Sequence, residues 1–162
     1  MIAVRSAIDA DGAAIARLIA DVFAEYEDCP FVPEEFPELA APAAHYASRN
    51  GALWVAEQDG RIVGCFAVFE TFEKGVFALA KVYLAKALRG TGLATALLDR
   101  ADAFAAGHGG RLLTLWSDTR FKAGHAFYRK HGFRQEAGVR QLHDVALTVE
   151  FRFSRPLPGR LD

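Results

Sequence analysis

A chain of 162 residues that is 52% hydrophobic and 24% charged has the make-up of a single globular domain, since roughly 100 to 200 residues per domain is the usual scale. Its formal net charge of −1 leaves no surplus of Lys and Arg for a nucleic-acid surface, and no run of about 18 apolar residues is present to cross a bilayer, so neither nucleic acid nor membrane is an expected partner. Met1 to Ser6 lacks the basic start and apolar core of a secretory leader, and Cys29 and Cys65 stand outside any CxxC or paired-His pattern, which points to a cytoplasmic protein without disulfide or metal.

Ile2 to Ala7 reads as a first short strand, after which Asp9 or Asp11 offers an N-cap to a helix with the apolar stripe Ile15, Leu18, Ile19, Val22 and Phe23. Ala24 to Ala41 carries Pro30, Pro33 and Pro37 and so is not one regular helix. The same stretch holds Glu25, Glu27, Asp28, Glu34, Glu35 and Glu38 with no Lys or Arg, which is either a solvated loop or a field that draws a cationic amine. Pro42 opens a second short helix ending near Asn50-Gly51, and Leu53 to Glu57 is a strand closed by the Asp59-Gly60 turn. Ile62 to Phe72 is apolar on both alternating faces, as a strand covered on two sides must be, and Glu73-Lys74-Gly75 turns it into Val76 to Leu84.

Gly92 to Ala106 repeats apolar residues at helical spacing and exits through Gly107-His108-Gly109-Gly110. Arg111 to Trp116 is a strand, Lys122 to His131 a short helix stopped by Gly132, and Phe133 begins the next extended segment. Val145, Leu147, Val149, Phe151 and Phe153 alternate with less apolar neighbours, which predicts a last strand with one face on the core.

Leu88-Arg89-Gly90-Thr91-Gly92-Leu93-Ala94 joins the strand Val76 to Leu84 to the following helix, and its composition is that of an anion cradle. The glycines let the backbone turn tightly, Arg89 adds positive charge, and the first helical amides point outward without intrahelical partners. A P-loop would need Gly-Lys-Ser or Gly-Lys-Thr here, whereas Gly92 is followed by Leu93 and Ala94. A dinucleotide turn would need a third glycine where Thr95 stands, within a parallel βαβ unit, and the upstream strands are joined as hairpins.

The pattern that fits is Arg/Gln-x-x-Gly-x-Gly/Ala, met by Arg89, Gly92 and Ala94, and downstream Phe127-Tyr128-Arg129-Lys130-His131-Gly132-Phe133 is close to an FYxKxGF segment. With these two motifs in this order of elements, the chain resembles the GNAT superfamily of acetyl-CoA-dependent N-acetyltransferases from about Ile2 to Phe153. The resemblance implies an α/β (α+β) fold with a mixed, mostly antiparallel central sheet of about six or seven strands flanked by about four helices.

It also implies acetyl-CoA as co-substrate, with Arg89, Gly90, Thr91, Gly92, Leu93 and Ala94 on the pyrophosphate and the helix dipole adding roughly 0.3 to 1 kcal/mol. The strand would splay from its neighbour at Val82, Tyr83 and Leu84, pairing there with the pantetheine arm, and the Val82 amide would polarise the thioester carbonyl. Tyr128 matches the tyrosine that protonates the departing thiolate in many members of the family. Two positions depart from the family pattern: Ala78 stands where many members carry a glutamate base, and Phe121 where many carry an asparagine that contacts the CoA arm.

Glu70, Glu73, Asp118, His125 and His143 are the groups able to replace that base, directly or through water. Asp118 is favoured because Trp116-Ser117-Asp118-Thr119-Arg120 ends a strand at the expected reaction centre; its other role would be to cap the following turn. The expected function is acetyl transfer from acetyl-CoA to a primary amine, small or on a peptide, by direct attack in a ternary complex. The alternative is a non-catalytic acyl-CoA sensor or partner-binding module. A homodimer would use the final strand with Arg155-Pro156-Leu157.

Overall fold

A computed structural model describes residues 1–157. In chain order the elements are β1 (Ile2–Ser6), α1 (Gly12–Phe23), α2 (Pro42–Ala47), β2 (Ala52–Gln58), β3 (Arg61–Glu70), β4 (Val76–Leu84), α3 (Leu93–Gly107), β5 (Leu112–Asp118), α4 (Lys122–Lys130), β6 (Arg134–Gln141) and β7 (Val149–Pro156). Seven strands form one sheet in the order β1-β2-β3-β4-β5-β7-β6, antiparallel throughout except for the parallel pair β4–β5. This is the mixed, mostly antiparallel sheet expected from the sequence.

Side chains alternate across the pleat, so each central strand feeds two cores. Phe66 and Val68 of β3 pack with Leu97 and Leu98 of α3, while Cys65 and Ala67 pack with Ile15 and Ile19 of α1. Burial on both faces is why β3 carries no polar alternation. The α1 stripe Ile15, Leu18, Ile19 and Val22 is fully inside, each side chain contributing about 1.5 to 3 kcal/mol by leaving water.

The feature that matters most for function is a parting of strands. β4 and β5 pair only over Val76 to Ala78, opposite Leu112 to Thr114, after which β5 continues beside β7 alone. On its other side β4 slips register against β3 between Cys65 and Ala67. Lys81 takes up the slack in the left-handed region at φ 53°, a conformation that a non-glycine residue holds only against some strain. A wedge therefore opens between the C-terminal halves of β4 and β5.

Several local expectations are corrected. Neither Asp9 nor Asp11 caps α1: Asp11 turns back to Arg5, whose Nη1 and Nη2 each donate at 2.9 Å, and Asp9 accepts from the Ala44 amide at 2.9 Å. The strand placed over Ile62 to Phe72 ends at Glu70, because the Thr71 amide and hydroxyl both bond the Val76 carbonyl and close the hairpin, leaving Phe72 in solvent. The last strand begins at Val149, and Val145 and Leu147 are exposed in the preceding loop. There the Asp144 carboxylate accepts from the Thr148 amide and hydroxyl, a side-chain turn that ends the alternation before the sheet begins. Of the surface offered for a dimer, Leu157 is buried in the core and Arg155 is held by Asp102 and the His131 carbonyl, so their side chains are spent within the chain.

Candidate active site

The cradle is made almost wholly of backbone. Gly90 and Gly92 have φ of 75° and 89°, and nothing lies within 4 Å of where a Cβ would sit at either, so glycine is needed for its dihedrals, not to avoid a clash. From Gly90 to Thr95 no backbone amide finds an acceptor among the described residues; the first paired amide is that of Ala96, on the Gly92 carbonyl at 3.1 Å. A run of free N–H groups at the start of a 15-residue helix is a binding surface for an anion such as pyrophosphate. Arg89 stands at its rim, with Nη1 and Nη2 donating to the two Glu25 oxygens at 2.5 and 2.7 Å and Nη2 also to the Leu84 carbonyl at 3.1 Å.

From the cradle a cavity of about 320 Å³ runs along β4 past Leu84, Tyr83 and Val82 toward Phe127 and Tyr128. A second cavity, of about 380 Å³, lies on the other side of the wedge under Phe23, Glu35, Phe36 and the loop before β7. Val82, Tyr83, Ser117, Phe121 and Tyr128 line both, so the two chambers meet where β4 and β5 part. Two of the sequence departures are on these walls: Ala78 leaves open space in the second chamber, and Phe121 packs on Tyr26 with ring centroids 5.0 Å apart.

Tyr128 sits at this junction with its side chain 5% exposed, held edge-on by Phe127 and Phe133. Its hydroxyl has no hydrogen-bond partner among the described residues, and burial pushes its pKa above the ordinary phenol value. Asp118 is also in the wall but is fully engaged. Its Oδ1 accepts from the Arg120 amide at 2.8 Å, and its carboxylate takes Nε at 3.0 Å and Nη2 at 2.6 Å from the same residue. Glu70 is bonded to Asn50 and the Gly75 amide, Glu73 pairs with Arg111, and His125 Nε2 donates to the Asp118 carbonyl; neither these nor His143 line either chamber.

Two of the six carboxylates of the acidic segment are ion-paired among the described residues. Glu25 is taken by Arg89, and Glu38 by Lys81 at 2.6 Å, inside the protein. Of its six carboxylates, only Glu35 lines a chamber. Arg120 ties the segment down, with Nη1 on the Asp28 carbonyl at 2.6 Å, and the Val145 amide donates to Glu35 Oε2 at 2.8 Å. Residues 24–41 and the loop before β7 thus roof the second chamber together. Sequence reasoning gave no role to Lys81 or Arg120, of which only Lys81 left a trace, as a charge inside an apolar strand, and it named Glu35 only as one of six acids.

A family model for the acetyltransferase (GNAT) domain matches residues 49–135, more than half of the chain. The chain belongs to the GNAT acetyltransferase family. It is an acyltransferase, and among curated relatives it is 25% identical over 142 residues to an uncharacterised N-acetyltransferase of Bacillus subtilis, covering 83% of this chain and 91% of that one. It is also 35% identical over 92 residues to an uncharacterised N-acetyltransferase of Mycobacterium tuberculosis, spanning 57% of this chain and 58% of the relative. In fold it matches a GNAT acetyltransferase of Staphylococcus aureus with a TM-score of 0.82 at 18% identity, over 97% of this chain and 99% of that one. YncA of Salmonella typhimurium, solved with its cofactor acetyl-CoA, matches with a TM-score of 0.74 at 19% identity over 99% and 96% of the two chains. No described helix of this GNAT protein is long and apolar enough to cross a membrane.

Proposed function

We propose that this acetyltransferase moves acetyl from acetyl-CoA to a primary amine on a small molecule, by direct attack in a ternary complex. The observation that carries this is the meeting of two chambers at Tyr128, one reached from an amide cradle and the other roofed by two loops. The amides from Gly90 to Thr95 and the side chain of Arg89 receive the pyrophosphate, and the freed edge of β4 at Val82, Tyr83 and Leu84 receives the pantetheine arm. Acetyl-CoA supplies the thioester; this chain orients it, with the Val82 amide directed at the carbonyl oxygen where negative charge develops.

The amine nitrogen attacks the carbonyl carbon, the C–N bond forms and the C–S bond breaks. Before the attack the ammonium loses one proton to water in the second chamber; the departing thiolate then takes the Tyr128 proton, and the second proton lost by the nitrogen restores the phenol through water. An unpartnered phenol in a dry site is suited to this because it stays protonated until a stronger base is formed beside it. For Asp118 the bonds from Arg120 favour the capping role over the base role, since a carboxylate that accepts from the Arg120 amide and guanidinium is poorly placed to accept a proton. The roof favours a small acceptor over a protein, which would need an open groove, and about 380 Å³ is within the ordinary range for small-molecule sites. Thiol release from acetyl-CoA with a panel of amines, beside calorimetry with CoA, is the test. Binding without thiol release for any amine would favour a sensor.

A further inference from the structure

We infer that Glu35 anchors a second cationic centre of the acceptor, so that the favoured substrates are small diamines whose far ammonium is held away from the reacting nitrogen. The inference rests on the acetyl-transfer reading for the identity of the near amine, but not for the binding of the far one. Four carboxylates line the second chamber, those of Glu35, Asp118, Asp144 and Glu150. Asp118 is taken by Arg120, Glu150 by Arg140 at 2.7 Å, and both Asp144 oxygens by the amide and hydroxyl of Thr148. Glu35 and Glu150 each keep one oxygen without a hydrogen-bond partner among the described residues, but Glu150 is matched by a guanidinium, whereas Glu35 has only the Val145 amide, on Oε2 at 2.8 Å.

The charge balance points the same way. The three bases on the wall, Lys81, Arg120 and Arg140, are each already matched, Lys81 by Glu38, which lies outside the chamber. Glu35 and Asp144 are left with no cation within ion-pair distance among the described residues. Around them the wall is largely aromatic, with Phe23, Phe36, Phe69 and Trp116, and the less polar surroundings strengthen any charge pair formed there. Glu35 lines only the second chamber, whereas Tyr128 lies at the junction with the first, so the carboxylate and the reaction centre stand apart along the path of the acceptor. A molecule with one amine would fill one of these positions; a molecule with two fills both.

The test uses 1,5-diaminopentane and pentylamine with the full protein. Turnover is read by thiol release, and binding of 1,5-diaminopentane in the presence of CoA is read by calorimetry. Glu35→Gln keeps an acceptor for the Val145 amide, so the roof stays shut. Loss of one charged contact should raise the KM and the Kd for the diamine about tenfold or more, with kcat and the KM for pentylamine unchanged. Glu35→Lys should reverse the preference, toward 5-aminopentanoate. Equal effects of Glu35→Gln on both amines, or a wild-type protein that binds 1,5-diaminopentane no better than pentylamine, would overturn the assignment. If the diamine binds through Glu35 and no amine releases thiol, the anchor stands and the transfer reading fails.

Discussion

The two chambers are built in opposite ways. The first is backbone: free amides between Gly90 and Thr95, two left-handed glycines and an unpaired strand edge, all within one short stretch of chain. The second is side chains from α1, the segment before α2, β4, β5 and the loop before β7, held by hydrogen bonds between residues as far apart as Asp28 and Arg120. A backbone site keeps its guest through changes of side chain. A side-chain site is re-specified by any one of them.

The sharpest test of this contrast lies at the junction, where both chambers share one hydroxyl. Tyr128→Phe should lower kcat by roughly 100-fold to 10,000-fold while leaving CoA affinity within experimental error in calorimetry. Full turnover would move the acid elsewhere. The same residue has a pH signature. Because burial raises the folded pKa of Tyr128, its neutral form stabilises the fold at pH values below the ordinary phenol pKa of about 10, and that contribution is lost as pH climbs beyond it. Thermal melts of wild type should therefore fall more steeply than those of Tyr128→Phe above pH about 10.

Next in size is the rim of the cradle. Arg89→Glu faces two carboxylates toward each other and removes the one guanidinium there, so CoA should bind about tenfold to a hundredfold more weakly, with acceptor KM unaffected once CoA is saturating. Unchanged affinity would show that the amides act without it. Arg120→Ala acts on the other chamber: it releases Asp28, Asp118 and Thr148 together, and acceptor KM should rise several-fold, on the order of 1 kcal/mol, with CoA affinity constant. A parallel loss of CoA affinity would mean that the two regions are not separable.

The smallest effect expected is at Glu25, which occupies Arg89 across the boundary between the regions. Glu25→Gln frees the guanidinium and should tighten CoA binding by a few-fold at most, since a partly exposed pair is worth about 0.2 to 1 kcal/mol. Weaker binding would instead make Glu25 the residue that orients Arg89.

Legibility in the sequence followed the same division. Periodicity placed α1, α3, α4 and the central strands, and Arg89, Gly92 and Ala94 identified the cradle, because helix starts and left-handed turns are set by residues adjacent in sequence. Val145 and Leu147 misled because alternation alone does not register an Asp144 side chain turning the chain back. The acidic run left two readings open for a related reason: a count of charges does not say which meet a partner, and Glu25 and Glu38 found theirs in Arg89 and Lys81, distant in sequence.

What the sequence determined by itself is the fold family and the glycine-bearing amide cradle, since both rest on local propensity, hydrophobic period and backbone chemistry. What only the tertiary structure decided is the second chamber: that Asp118 is occupied by Arg120, that the segment 24–41 is tied to Arg120 and to the Val145 amide, and that Glu35 keeps a free oxygen with no cation beside it among the described residues. The physical reason is that a charge acquires its role from what it fails to pair with, and pairing is settled across the sheet, between segments that the chain keeps far apart.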